Sequence, residues 1–505
     1  MKETSFTIEF QPFGIRLICT EATTVLDAAR QAGIPMVNVC GGKGTCGKCI
    51  IQILEGKANP LTYNEQVFRK GNLLAQNERL ACETVVAVDA KILIPQKSLQ
   101  TTQILQTESA TQTEQVDALI YNVNIQLHKP SLKSPISDLE NVLSSSPDLR
   151  FENDGRLLDI FKHTPTWMRE TDWKINAICE NDLILGITKE PPERLLGLAV
   201  DIGSTKIALY LLNLENGDVV AVKGIPNPQI GYGEDIMARL GFAMQDDNNE
   251  KKLHTVTIDA IHQAVQEICE NTTIDPNQIV HQCYVGNTAM HHIFLGVPSR
   301  HLASSPFTPV LTKALNIPVE ELGLHGMPGS RVYIPGPIAG FVGSDHLAFL
   351  LSAGFAESDQ VLLGIDIGTN TEIALQKGER IVSCSTASGP AFEGAHIRFG
   401  MRAAPGAIEH ARIDRNGLMH CDVIGEGEAV GICGSGILDI ISELRNAGIL
   451  NHRGRLDIHH PLVQVGEDKV RSYTILSAVD GQREISLSQK DIDQILLAKL
   501  SLIHI

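Results

Sequence analysis

No apolar run in the chain is long enough to cross a bilayer. The longest patches, such as positions 347–356, fall well short of the ~20 residues a spanning helix needs. No export leader is expected either, because positions 1–17 alternate like a strand and show no basic start followed by an apolar stretch. Basic residues are not in excess: the net charge is −17, which argues against general nucleic-acid binding. These absences predict a cytoplasmic protein whose partners are neither nucleic acid nor membrane. Eleven cysteines in such a setting point to metal or redox use in a reducing compartment, not to a disulfide framework. What is present is ordinary bulk. At 505 residues, 43% hydrophobic and 20% charged, the chain has material for roughly three domains of ~150 residues with sizeable cores.

The strongest internal signal is a repetition. Leu198-Ala199-Val200-Asp201-Ile202-Gly203-Ser204-Thr205 reads as a buried strand ending in a tight polar turn. Gly203 lets backbone approach a ligand, Ser204 and Thr205 add hydroxyls, and Asp201 offers a carboxylate suited to Mg²⁺. The same stretch returns as Leu363-Gly364-Ile365-Asp366-Ile367-Gly368-Thr369-Asn370-Thr371. An alternating run, a Gly-containing turn (Gly217; Gly378) and another strand follow each copy. Two copies of strand–loop–strand–turn–strand indicate an internal duplication.

Nearer the N-terminus, positions 6–10 and 16–19 read as a hairpin and positions 24–32 as a short helix capped by Thr23 or Thr24. Then come Cys40, Cys46 and Cys49 with glycines between them, and Cys82 at a distance. Four thiolates of this kind suit a [2Fe–2S] cluster, with amides freed by Gly41, Gly42, Gly44 and Gly47 able to point at the sulfurs. A zinc site is the weaker alternative, because it usually shows two Cys-x₂-Cys pairs and only one is present. A phosphate loop from Gly42 to Lys48 is weaker still: Cys49 stands where a hydroxyl is needed, and positions 50–54 continue as a strand where a helix is required. Cysteines serving structure alone are the remaining reading. Cys19 lies outside the motif and reads as a strand residue.

Positions 96–114 are dominated by Gln, Thr and Ser and read as a linker. Positions 115–190 predict a small middle domain with a short amphipathic helix near 137–143 and strands near 173–179 and 183–187. Trp167 and Trp173 are its core or interface residues. Further on, a long helix within 247–272 carries an apolar stripe at Ile258, Ile261, Val265 and Ile268. His291 and His292 open a helix; adjacent positions face different sides, so core placement is favoured over a metal site. Asp345 reads either as a helix N-cap or as a contact to Mg²⁺ or water. Gly434-Ser435-Gly436 precedes a helix over 437–447, as either an anion loop or packing glycines.

Paired Asp-x-Gly-[Ser/Thr] loops resemble the superfamily of actin, sugar and acetate kinases and chaperone ATPases. That resemblance implies two lobes gripping Mg²⁺–ATP, with residues 201–205 as the first phosphate loop and 366–371 as the second. Gly203, Ser204, Thr205, Gly368, Thr369, Asn370, Thr371, Gly434, Ser435 and Gly436 become candidate cofactor-binding residues. Asp201 and Asp366 become candidate catalytic carboxylates, and Asp345 falls where the superfamily's interlobe segment orients water. The cysteine segment, over about residues 1–95, resembles the [2Fe–2S] ferredoxins of β-grasp fold. Its C-x₅-C-x₂-C spacing departs from the plant type and is more like the adrenodoxin subgroup, and implies Cys40, Cys46, Cys49 and Cys82 as ligands.

The combination is narrower. With the Gly286-to-His292 motif, the segment from Ile334 to Asp345, Ser388-to-Gly394 and Cys433-to-Gly436, nearly the whole chain resembles the reductive activators of corrinoid enzymes. The resemblance implies a multidomain α/β and α+β protein: a ferredoxin domain (1–95), linker (96–114), middle domain (115–190) and duplicated actin-like ATPase domain (191–505, in repeats 191–345 and 346–505). It also implies an ATP-dependent enzyme that returns cob(II)alamin to cob(I)alamin on a partner corrinoid protein, the electron passing from a low-potential donor through a [2Fe–2S] cluster. Uphill transfer costs about 2.3 kcal/mol per electron for each 100 mV, which nucleotide-driven lobe closure can offset if the nucleotide states bind the partner differently. The chain has no Asp-x-His-x₂-Gly corrinoid-ligand motif, so it is expected to act on a corrinoid protein, not to be one. Two rival readings are a nucleotide-gated iron–sulfur redox sensor that docks without turnover, and an activator of 2-hydroxyacyl-CoA dehydratases, which lack the ferredoxin module. Relatives continue past the segment matching positions 488–492 into a Gly-rich strand–turn that holds adenosine. An ATPase domain incomplete at its C-terminus, with weakened nucleotide affinity, is therefore the expectation.

Overall fold

A computed structural model describes residues 6–503, apart from 12–14, 20–22, 35, 38–39, 72, 87, 96–97, 99–117, 153–154, 234, 328, 369, 387–390, 392–396, 402, 404, 415–417, 426, 467–468 and 478–483. The chain divides into two compact units, Met1–Pro95 with Thr107–Leu347, and Gln96–Gln106 with Ala348–Ile505. The predicted linker lies almost wholly outside the described residues.

In the first unit, Phe6, Ile8 and Phe10 are buried at every second position, the period a half-buried strand imposes. Their strand, Phe6–Gln11, pairs antiparallel with Ile15–Cys19 and parallel with Ala90–Leu93. Ile50–Glu55 and Glu78–Leu80 complete a five-stranded sheet. The helix Val25–Gln31, capped by Thr24, buries Val25, Leu26, Ala28 and Ala29. With a second helix, Tyr63–Lys70, between Ile50–Glu55 and Glu78–Leu80, this mixed sheet is the expected β-grasp.

Ile120–Gln126, Lys174–Glu180 and Leu183–Thr188 form a separate antiparallel sheet. The helix Asp138–Ser145 starts at a capping box between Ser137 and Glu140, close to its predicted position. A second helix, Gly155–Glu170, is not legible in the sequence because Pro165 stands inside it. Proline breaks most helix interiors. Here Met168 is fully buried and Ile160, Phe161 and Trp167 pack on the sheet, so tertiary burial overrides local preference. Trp173 is a core residue.

The first Asp loop is organised by a six-stranded sheet in the order Val219–Pro226, Lys206–Asn213, Leu196–Ile202, Ile279–Gly286, Arg331–Ile334, Leu315–Pro318. The central strand, Leu196–Ile202, is antiparallel to its hairpin partner and parallel to Ile279–Gly286. The helix Asp247–Thr272 buries Ile258, Ile261, Val265 and Ile268 in the core of this layer, as its periodicity predicts.

In the second unit, Leu362–Ile367, Thr371–Lys377 and Arg380–Thr386 repeat the hairpin-plus-strand pattern. Asp366 stands opposite Glu372 as Asp201 stands opposite Ala208. One difference separates the copies. Among the described residues the Asp366 strand has a neighbour on one side only, and Leu363, Ile365 and Ile367 are exposed. The remaining sheets, around Ala407–Ile413 and Arg471–Leu476, enclose a core with the helices Gly434–Asn446 and Gln489–Ile503. Among the described residues no helix is long and apolar enough to cross a membrane.

Candidate functional site

The cysteine loop is held by the ends of two paired strands. Cys49 precedes Ile50–Glu55 and Cys82 follows Glu78–Leu80; the Ala81 amide donates to the Cys49 carbonyl at 2.8 Å. That register brings the Cys49 and Cys82 sulfurs within 3.4 Å. Cys40 and Cys46 form a second hydrogen-bonded pair, in which the Cys46 thiol holds Cys40 below its ordinary value against the opposing effect of burial. Cys49 is likewise held low by its pairing with Cys82, while Cys46 and Cys82 are pushed up by their partners and by burial.

Between these thiols the backbone takes the left-handed region at Gly41, Gly42, Gly44 and Gly47, where L side chains are strained. A Cβ at Gly44 would also collide with the Glu83 carboxylate, which Thr62 and Asn64 hold by hydrogen bonds. Two thiol pairs suit two irons, each taking two of the four thiolates of a [2Fe–2S] cluster. Among the described residues no three His, Cys, Asp or Glu side chains stand as a set for a single ion. Cys19 is buried on its strand.

The first Asp loop turns between Ile202 and Ile207, which are paired. Asp201 is exposed at the strand end, and Gly203 to Thr205 are half-buried. Only glycine fits at 203, where a Cβ would lie 2.7 Å from the Lys206 carbonyl. The loop carbonyls are all used inside the protein. Asn227 donates from Nδ2 to Gly203 O at 2.8 Å and from its amide to Thr205 O at 2.9 Å. The Arg239 guanidinium donates to Ser204 O. These bonds occupy three carbonyl oxygens that would otherwise repel an anion at the loop.

A third segment joins this loop. Asn287 Nδ2 donates to Ser204 Oγ at 3.0 Å, and Ser344 exchanges hydrogen bonds of 3.2 Å with the Gly286 backbone. A Cβ at Gly343 would collide with Asn287, Gly286 and the Asp345 carboxylate. Asp345, half-buried, is therefore packed beside the segment that touches the first Asp loop. It is not the N-cap: it sits in the first turn of Ser344–Ser352, and its Oδ1 accepts from the His346 amide at 2.8 Å.

In the second loop Asp366 is exposed, the Gly368 amide donates to Asn370 O at 3.0 Å, and Thr371 is buried opposite Thr386. Thr369 and all of the Ser388–Gly394 motif except Ala391 lie outside the described residues. Gly434, Ser435 and Gly436 form the first turn of Gly434–Asn446, three residues earlier than predicted. A Cβ at Gly436 would collide with the Ile408 carbonyl, so close packing is by itself reason enough for a glycine there. His291 and His292 are both buried. His292 is bonded to Thr288 O at 2.7 Å and receives the Val310 amide at 2.8 Å.

Asn227 and Arg239 escaped the sequence reading, and Asn287 entered it only as part of the Gly286-to-His292 motif, without its contact to Ser204. Asn287 had a legible signal, since an Asn before a helical run is a cap. Arg239 had none, because nothing local distinguishes a buried arginine from a surface one.

Three family models match the chain: the 2Fe-2S iron-sulfur cluster binding domain over residues 8–87, the RACo middle region over 196–358, and the C-terminal domain of RACo, the ASKHA domain, over 360–504. The corrinoid activation enzyme RamQ of Eubacterium limosum is 29% identical over 497 residues, covering 96% of this chain and 79% of that one. A [Co(II) methylated amine-specific corrinoid protein] reductase of Methanosarcina barkeri is 30% identical over 244 residues, 46% of this chain and 41% of its own length. A solved reductive activator for corrinoid,iron-sulfur protein matches 98% of this chain and 82% of its own at 29% identity, with a TM-score of 0.67. With ferredoxin, middle and ASKHA models matched in that order, the chain belongs to the RACo family.

Proposed function

We propose that this protein is an ATP-dependent reductive activator that returns a partner corrinoid protein from the cob(II)alamin to the cob(I)alamin state. The observation that carries the reading is the union, in one chain, of two thiol pairs suited to two irons with a duplicated Asp-loop ATPase pattern, matched along 98% of its length by a solved reductive activator. Cys40, Cys46, Cys49 and Cys82 hold the [2Fe–2S] cluster, which supplies one-electron transfer when bound. Residues 201–205 and 366–371 bind the phosphates of Mg²⁺–ATP, Asp201 and Asp366 face the cation, and Asp345 orients water. Gly434 to Gly436 complete the nucleotide site. A low-potential donor reduces the protein, which works in the cytoplasm without nucleic acid or membrane.

The test is an anaerobic assay that follows a cob(II)alamin partner's spectrum with reductant, with and without ATP. ATP-dependent conversion to cob(I)alamin is expected, and its absence in a Cys82→Ser variant. A variant without cluster that converts the partner equally well sinks the reading.

A further inference from the structure

Residues 227–233 touch two sites at once. At one end they hold the first phosphate loop through the two Asn227 hydrogen bonds to Gly203 and Thr205. At the other they abut the cysteine loop. The Tyr232 carbonyl lies 3.1 Å from where a Cβ on Gly41 would sit, and Gly233 Cα lies at 3.7 Å. Gly41 immediately follows Cys40, has φ +64, and leaves no room for a side chain to hold the two segments apart.

Arg239 ties the ends together. It is fully buried, and it donates from Nε to Gly233 O at 2.7 Å and from Nη2 to Ser204 O. Its third reach, Nη1 to Gln229 Oε1 at 3.4 Å, lies within the same segment. Burying a guanidinium is costly unless its donors are used; here one fork spans both ends of a short connection, so neither end moves without the other. From the ferredoxin side, Arg30 lays its guanidinium 5.3 Å from the Tyr232 ring centroid, and a Cβ on Gly231 would sit 3.6 Å from Arg30 Nε. Among the described residues, buried Arg30 Nε and Nη2 have no hydrogen-bond partner, and the ring stack and close contact hold this seat.

We infer that residues 227–233, braced by Arg239 and seated by Tyr232, are a positioning strut through which the state of the first phosphate loop acts on the cluster loop. The inference rests on the proposed nucleotide role of residues 201–205. A ligand that shifts those carbonyls moves Ser204 O against Arg239, and through Gly233 and Tyr232 it moves the backbone beside Cys40. Hydrogen bonds to cluster sulfurs set the potential, so the two sites share a coupling free energy. Such coupling is reciprocal: reduction changes nucleotide affinity by the same factor as nucleotide changes the redox equilibrium.

The experiment uses the full chain with its cluster reconstituted anaerobically. A labelled, non-hydrolysable ATP analogue with Mg²⁺ is titrated into oxidised and dithionite-reduced protein, and electron paramagnetic resonance follows the reduced cluster. The expected result is at least about threefold different affinity between the two states, matched by a shift of about 28 mV at 59 mV per tenfold, with altered g values. Tyr232→Ala is expected to bring the affinity ratio to one while iron content and analogue binding to the oxidised form persist. A wild-type ratio of one, or a Tyr232→Ala variant that keeps the full ratio, overturns the strut. If no analogue binds, the nucleotide reading of the loop has failed. The strut is then decided by Arg239→Lys, whose lost fork is expected to change the g values; an unchanged spectrum overturns it.

Discussion

Asn287 joins two segments 83 residues apart: its Nδ2 donates to Ser204 Oγ at 3.0 Å while its Oδ1 accepts from the Met290 amide at 3.0 Å. One amide group thus caps the helix Thr288–Phe294 and steadies the first Asp loop.

The two jobs separate by substitution. Asn287→Ala loses both and is expected to cost about 1 kcal/mol of stability, together with weaker binding of a labelled ATP analogue. Asn287→Asp keeps the cap acceptor and loses the donor to Ser204. Thermal melts should therefore show it near wild type while its analogue affinity falls about fivefold, the loss of one net hydrogen bond of about 1 kcal/mol. Equal affinity in all three proteins would mean that the Ser204 contact does not serve the nucleotide.

Glu65 is a buried carboxylate behind the cysteine loop. Burial raises its pKa, but Arg79 at 2.8 Å and the amides of Leu80 and Thr62 outweigh that and hold it below its ordinary value. A depressed carboxylate stabilises the fold fully above its unfolded pKa, near 4.5, and this contribution is lost as pH falls through the lower folded value. Glu65→Gln leaves Arg79 half-buried with its partner charge gone, at a cost of about 3 kcal/mol. Because Arg79 leads through Leu80 and Ala81 to Cys82, the expected readout is earlier thermal bleaching of the cluster. Glu65→Gln should also flatten the acid side of the wild-type bleaching profile; an unaltered acid limb would show that Glu65 does not set it.

Much of this arrangement was legible because its signals are local. The Asp201 and Asp366 loops announce themselves by repeating, and the thiols by spacing that glycines make workable. The stripe of Asp247–Thr272 follows from period alone. What stayed hidden depends on partners distant in sequence. Arg239 matters only because folding carries Ser204 and Gly233 to it. Pro165 argues against a helix that Met168 and Trp167 enforce by burial. Asp345 suits a cap by residue type alone, yet the helix starts one residue earlier, at Ser344, whose hydroxyl bonds the Gly286 backbone.

The four thiols fall into pairs, so each pair should be indispensable and Cys19 should not be. Cys82→Ser breaks the Cys49 pair, and Cys46→Ser breaks the Cys40 pair. Each is expected to lower bound iron and remove the reduced-cluster spin signal. Cys19→Ser, at a buried strand position, should leave iron content at the wild-type value. Full iron loading in Cys82→Ser would break the pairing.

His291 is buried, among the described residues neither ring nitrogen has a hydrogen-bond partner, and burial with neighbouring His292 holds its pKa down at about 4. The native state keeps it neutral, whereas the unfolded chain protonates it near 6.5. Stability is therefore full above that value and declines as pH falls towards 4, by at most about 3 kcal/mol. His291→Leu should remove part of this slope: urea midpoints at pH 7 and pH 5 should differ less than in the wild type. An identical difference would locate the acid sensitivity elsewhere.

Gly436 separates packing from ligand binding in the second unit. It opens the helix Gly434–Asn446, where an anion site is chemically reasonable, yet a Cβ there would strike the Ile408 carbonyl. Backbone cannot give way as a flexible side chain does, so Gly436→Ala should destabilise the unit by about 2 kcal/mol through overpacking. Among the described residues the Ser435 hydroxyl bonds only Cys433 Sγ, at 3.2 Å, and Ser435→Ala should leave the urea midpoint within about 0.5 kcal/mol. Analogue affinity then assigns the roles. A loss confined to Ser435→Ala marks the turn as a ligand contact at that hydroxyl. A loss in neither folded variant leaves Gly436 a packing residue and removes residues 434–436 from the nucleotide site.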